Sequence, residues 1–172
     1  MAAAVFGALA CGYALSRFTR ATTRELMLCL ATAGLLGVIL MAGAAAARAF
    51  GLNEPIVPSL RVGVKSLLLY FPVTFVLEEV SFRGLVDAHV HQPGASGGFW
   101  SALFVSAGWG LWHWPVAARV GLPMWLTAMQ LIVIHTVIGV PLSYFWRRSG
   151  NLAVPGFTHA FIDAVRNALL QP

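Results

Sequence analysis

The chain has 172 residues, of which 59% are hydrophobic and 10% charged, and its mean hydropathy is +0.79. An average soluble domain carries about 25% charged residues, so this composition excludes an ordinary soluble fold and reads as an integral membrane protein. The formal charge of +5 comes from eleven basic residues scattered along loops and helix ends, where anionic lipid headgroups account for them and a nucleic-acid surface does not.

The apolar runs are long and continuous, without the short alternation of a membrane barrel, so the fold class is all-α, a polytopic helical bundle forming one domain over 1–172. A crossing takes about 20 residues, and hydropathy divides the chain into about six segments. The first, Ala2 to Ser16, is short for a full crossing. It resembles a signal-peptide core, but no basic residue precedes it and no small-x-small site leads into a soluble domain, so a first membrane helix fits better. The second, Leu26 to Ala47, carries Gly34, Gly37 and Gly43, which suit close helix packing inside the protein better than a dimer face. Leu60 to Phe82, Phe99 to Val120, Met124 to Trp146 and Leu152 to Leu170 complete the set, and Pro115 is expected to kink the fourth. Breakers at Gly51 to Pro58, Gln92 to Gly98, Gly121 to Pro123 and Ser149 to Asn151 mark the connections.

Basic residues do not decide the orientation. Arg17, Arg20, Arg24, Arg147 and Arg148 fall on one side, and Arg48, Arg61, Lys65, Arg119 and Arg166 on the other. The tighter clusters weakly favour the first side as cytoplasmic. Cys11 and Cys29 lie in apolar stretches with no CxxC pair and read as buried helix residues.

Charges inside apolar segments carry the chemistry. Glu78 and Glu79 stand side by side in an apolar stretch, four residues before Arg83, and each charge costs roughly 3 kcal/mol at a bilayer centre. Residues four apart share a helix face, so Glu79 can pair with Arg83, while Glu78 is turned about 100° away and is left free to act as a general base or acid. A helix-locking ion pair explains Glu79 with Arg83 but leaves Glu78 unaccounted for. His113 and His159 stand in later segments, and Asp163, four residues after His159, is placed to fix that ring. Measured from the side of the 83–98 and 147–151 loops, Glu78, His113 and His159 lie inward by roughly 10 to 20 Å at 1.5 Å per residue, so they can converge on one wet site.

Glu78-Glu79-x-x-x-Arg83 followed by Gly84, then Trp109-x-x-x-His113, then His159-x-x-x-Asp163, resembles the three-motif signature of the CPBP intramembrane proteases, also called the ABI family, which includes the type II CAAX prenyl endopeptidases. The resemblance covers residues 73–165, taken here as the catalytic core. It implies an all-helical membrane protease that hydrolyses peptides with a glutamate-activated water, without a covalent intermediate, a metal or another cofactor. Carried onto this chain, it makes Glu78 the base with His113 holding it, Glu79 and Arg83 the supporting pair, and His159 with Asp163 the oxyanion-stabilising pair; Arg83 is also a candidate for a substrate carboxylate. Two departures stand out. Trp109 replaces the usual Phe, one large aromatic for another. Asp163 stands where Asn is common, and an ionised Asp only accepts hydrogen bonds, so its simpler role is to orient His159.

Other polar residues have plainer readings. His135, mid-span, is expected to bond a backbone carbonyl or Thr136, and His89 and His91 with Asp87 read as a solvated loop rather than a metal site. Trp100, Trp109, Trp112, Trp114 and Trp125 suit an interfacial belt, with Trp109 and Trp112 also candidates to wall a substrate groove. The expected partners are membrane lipids and a membrane-associated peptide or protein: a prenylated C-terminal peptide, a bacteriocin-type leader or another anchored segment all fit. Composition suggests a prokaryotic plasma membrane. Three rival functions remain open. A Zn²⁺ protease could use a Glu and two His, although no His-Glu-x-x-His is present. A membrane scaffold or immunity protein would bind peptides without cleaving them, and a transporter would use the carboxylates as a proton relay.

Overall fold

The structure is a computed structural model describing residues 2–52, 55–91, 98–117 and 123–170. The connections predicted at Gly51 to Pro58, Gln92 to Gly98 and Gly121 to Pro123 lie partly outside those residues, as does Arg119. Among the described residues the chain forms six main helices and no strands: α1 (Ala2–Ser16), α2 (Arg20–Gly51), α3 (Leu60–Val90), α4 (Gly98–Trp112), α5 (Met124–Ser149) and α6 (Ala153–Leu170). The all-α membrane bundle expected from hydropathy is the observed architecture.

Helices α2, α3 and α5 are long and apolar enough to cross a membrane. α2 begins six residues before the hydropathy boundary because Thr19 caps it, its hydroxyl accepting from the Thr22 amide at 3.2 Å, and Arg20, Arg24 and Glu25 become helical. α4 ends at Trp112, short of the expected Val120. Pro115 has no N–H for the Leu111 carbonyl and its ring crowds that carbonyl, so a single 3₁₀ turn, Trp114–Val116, follows and the helix stops where a kink was expected. α5 ends on Gly150, whose φ of 60° is the left-handed cap conformation. Asn151 then ties this turn to α1, donating from Nδ2 to the Ala14 carbonyl at 2.9 Å while its Oδ1 accepts from the Ala153 amide.

α6 is the centre of the bundle. It packs against α2, α3 and α5, and Val154, His159, Ala160, Ile162, Asp163 and Asn167 are all buried. Its polar residues are therefore sheltered by protein rather than by lipid, which is why it lacks the hydropathy of an isolated span. Large apolar side chains such as Phe6, Leu68, Phe104 and Val133 instead face outward. Cys11 and Cys29 are free and buried, as their surroundings suggested.

Small residues let the helices approach closely. A Cβ on Gly37 would lie 2.6 Å from the Ile162 side chain, so the Gly-rich face of α2 is used inside the protein against α6, as expected, although Gly43 faces open space. α4 and α5 form a second tight pair, where a Cβ on Gly110 would lie 2.7 Å from the Leu131 carbonyl oxygen. Backbone cannot give way as a side chain can. Gly110→Ala is expected to destabilise the protein by about 1–3 kcal/mol, read as a lowered unfolding midpoint in detergent.

The basic pair at the end of α5 faces carboxylates rather than headgroups alone. Arg147 holds the fully buried Asp87 of α3 through two bonds, 2.9 Å from Nε and 2.6 Å from a terminal nitrogen, and also donates to the Gly98 carbonyl and to Ser101. Arg148 reaches Glu25 of α2 at 2.9 Å. These bidentate and charge-assisted contacts fasten α2, α3 and α4 to one end of α5.

Candidate active site

Pro72, inside α3, has no N–H to give to the preceding turn. Three residues later the helix widens to i→i+5 bonding, and this π-type stretch, Phe75–Asp87, carries Glu78, Glu79 and Arg83. Such widened turns are frequent at functional sites because they re-aim side chains that a regular helix would stack.

Glu79 and Arg83 form the predicted pair, 3.2 Å apart and both with side chains 0% exposed. The Arg83 guanidinium also lies 4.2 Å from the centre of the Trp109 ring. The side chain is closed off from solvent, and among the described residues its Nε and one terminal nitrogen have no hydrogen-bond partner.

His159 reaches across from α6 to this pair. Its Nδ1 donates to Glu79 Oε1 at 2.8 Å, because a carboxylate can only accept. Asp163 also faces the ring, as its spacing suggested, with Oδ2 3.7 Å from His159 Nε2, and its other oxygen forms an ion pair with Arg166 at 2.9 Å. Glu79 thus makes the shortest polar contact of His159. The two carboxylates face different ring nitrogens, and the closer contact comes from another helix rather than from the i,i+4 neighbour.

Glu78 faces a different set. Its Oε2 accepts from the indole Nε1 of Trp109 at 2.6 Å, lies 3.4 Å from His113 Nε2 and 3.8 Å from His159 Nε2, and its side chain is 12% exposed. His113 follows the last turn of α4, and its Nδ1 donates to the Trp109 carbonyl at 2.9 Å, which turns Nε2 toward Glu78. The structure therefore brings together Glu78, Glu79, Arg83, His113, His159 and Asp163 from three helices. Among the described residues no Lys or Arg pairs with Glu78, which is held instead by an indole.

Two residues at this site were given other readings from sequence. Trp109 was treated as an exchangeable aromatic or part of a belt, whereas it is 2% exposed and hydrogen-bonds Glu78. Trp100, Trp112, Trp114 and Trp125 do lie at the surface. His135, on α5, bonds the Leu131 carbonyl at 2.7 Å, as expected, but its ring also lies 4.3 Å from that of His113 and 4.6 Å from that of Trp109. The available signal was its position, since an ionisable side chain in the middle of a membrane helix marks a functional pathway by default.

Among the described residues, no group of three or more His, Cys, Asp or Glu side chains is gathered so as to hold a metal ion. The solvated loop expected at Asp87, His89 and His91 is instead the end of α3: Asp87 and His89 are helical, and Asp87 is fully buried against Arg147.

Comparisons with curated proteins and with solved structures returned no match. In a comparison with protein families, residues 61–165, more than half of the chain, match type II CAAX prenyl endopeptidase Rce1-like. That stretch runs from the start of α3 to the last turns of α6 and contains Glu78, Glu79, Arg83, Trp109, His113, His159 and Asp163, so the fold, the apolar spans and the family agree: this integral membrane protein belongs to the Rce1-like family of type II CAAX prenyl endopeptidases, intramembrane proteases of membrane-associated peptides.

Proposed function

We propose that the protein hydrolyses a peptide bond of a membrane-anchored substrate with a water activated by Glu78. The observation that carries this reading is the division of labour between adjacent carboxylates: Glu79 is fully buried between Arg83 and His159 Nδ1, while Glu78 is partly exposed and faces the Nε2 atoms of His113 and His159. Glu78 takes a proton from water as the oxygen attacks the scissile carbonyl, and it returns that proton to the leaving amine as the tetrahedral intermediate collapses. His113, its Nδ1–H spent on a backbone carbonyl, offers Nε2 to the same water and Glu78. His159, its Nδ1–H spent on Glu79, has Nε2 left for the substrate oxyanion. A doubly protonated His159 has its charge matched, because Arg83 balances Glu79, Arg166 balances Asp163 and Glu78 faces the imidazolium. In this scheme Asp163 acts by holding Arg166 and the local charge balance, and it is not a direct oxyanion donor.

The substrate we favour is a peptide ending in a prenylated Cys-a-a-X motif, the chemistry of the family, in a prokaryotic plasma membrane. The test is cleavage in proteoliposomes of a farnesylated peptide and its unmodified counterpart, with Glu78→Gln and His159→Ala as variants. The proposal expects cleavage by the wild type, faster for the farnesylated peptide, lost in both variants and indifferent to a strong chelator. No wild-type cleavage, or cleavage untouched by both substitutions, sinks it. Loss to a chelator with recovery on adding Zn²⁺ transfers the chemistry to a metal, and full biological function of a folded Glu78→Gln protein favours a scaffold.

A further inference from the structure

Trp109 belongs to α4 yet touches the functional side chains of every helix around it. Arg83 of α3 lies 4.2 Å from its ring centre, His135 of α5 lies 4.6 Å away at 87°, and His159 of α6 lies 4.8 Å away at 80°. Its own helix brings His113 to 5.7 Å. Packing alone would explain an aromatic ring here, and a phenyl ring would serve. The indole does something a phenyl ring cannot: its N–H donates to Glu78 Oε2 at 2.6 Å.

We infer that Trp109 is a positioning residue for Glu78, fixing the carboxylate so that Oε1 is the atom presented to water. The inference rests on the protease reading given above and deepens it. Three features support it. Among the described residues, the polar contacts of the Glu78 carboxylate all fall on Oε2, which leaves Oε1 uncommitted. The N–H···O⁻ bond is short and charge-assisted, the strong kind, and it restrains a flexible side chain in a site where placement matters. The same residue also orients the second partner of the water, because its carbonyl accepts from His113 Nδ1. Trp109 thus sets Glu78 through its side chain and His113 through its backbone, and Arg83 over the ring face adds a cation–π contact that holds the indole in plane.

The decisive variant is Trp109→Phe, which keeps a buried aromatic ring and the backbone contact to His113 but removes the N–H. The expected result is a fall in kcat of about 10- to 100-fold with KM within about twofold, since a misplaced base slows chemistry more than it weakens binding. A packing role would lower the unfolding midpoint and leave kcat of the folded fraction unchanged. A second arm needs no cleavage: in the ¹⁵N-tryptophan-labelled protein in detergent, the Trp109 indole N–H resonance, assigned by its loss in Trp109→Phe, is expected to lie downfield of the other indoles and to move upfield in Glu78→Gln. Wild-type kcat in Trp109→Phe, or an indole resonance indifferent to Glu78→Gln, overturns the inference. If the wild type cleaves nothing, the protease reading fails, and the indole arm still decides whether Trp109 holds Glu78.

Discussion

Glu78→Gln is expected to lower kcat/KM by about 10² to 10⁴-fold while leaving the protein folded, the range that a positioned general base contributes. The substitution removes the basic oxygen but keeps the shape of the side chain. The amide oxygen of Gln still accepts from the Trp109 indole, so the contact that anchors residue 78 survives. The fully buried Glu79–Arg83 pair is left intact. Unfolding in detergent should therefore move little, and KM should move less than kcat. Steady-state cleavage of the farnesylated peptide checks this, with the unfolding midpoint of the same preparation as control. Activity within a few-fold of wild type would remove Glu78 from the chemistry.

The second large effect is on stability. Arg83→Met is expected to cost about 3–5 kcal/mol, the penalty for leaving one partner of a buried ion pair alone. Both side chains of the pair are 0% exposed, so no solvent reaches Glu79 to replace the guanidinium. For a chain of this size each kcal/mol is worth about 2–4 °C, giving a fall of roughly 10 °C in the unfolding midpoint. Activity should fall too, since the Glu79 carboxylate that holds His159 Nδ1 is then unbalanced. Glu79→Gln combined with Arg83→Met removes both charges and should recover part of the stability, because the cost lies in the uncompensated carboxylate rather than in the lost contact. A double variant no more stable than Arg83→Met would show that guanidinium packing against Trp109 is the larger contribution.

Much of this architecture is written locally. Uninterrupted apolar runs gave six helices, and the first was bounded correctly at Ala2–Ser16. Ser149-Gly150-Asn151 ended α5 because glycine accepts a positive φ without strain. The Glu79–Arg83 pair followed from four-residue spacing, and that spacing holds even where the turn widens. Boundaries failed where a local rule competed with hydropathy. Thr19 capped charged residues into α2, and Pro115 cut α4 short of the apolar residues after it.

What the chain determines by itself is therefore its class, its helices and the set of ionisable residues that an apolar interior would not tolerate without a reason. That is physically expected, since hydropathy, caps, breakers and i,i+4 spacing act over a few residues of one chain segment. Only the tertiary structure decided which of those residues meet. It gave His159 to Glu79 and Asp163 to Arg166, brought the indole of Trp109 to Glu78, and set His135 beside His113. Each of these contacts joins different helices or selects among neighbours on the same one. The choice depends on how closely the backbones approach, and that distance is set by small residues such as Gly37 and Gly110 at the helix crossings.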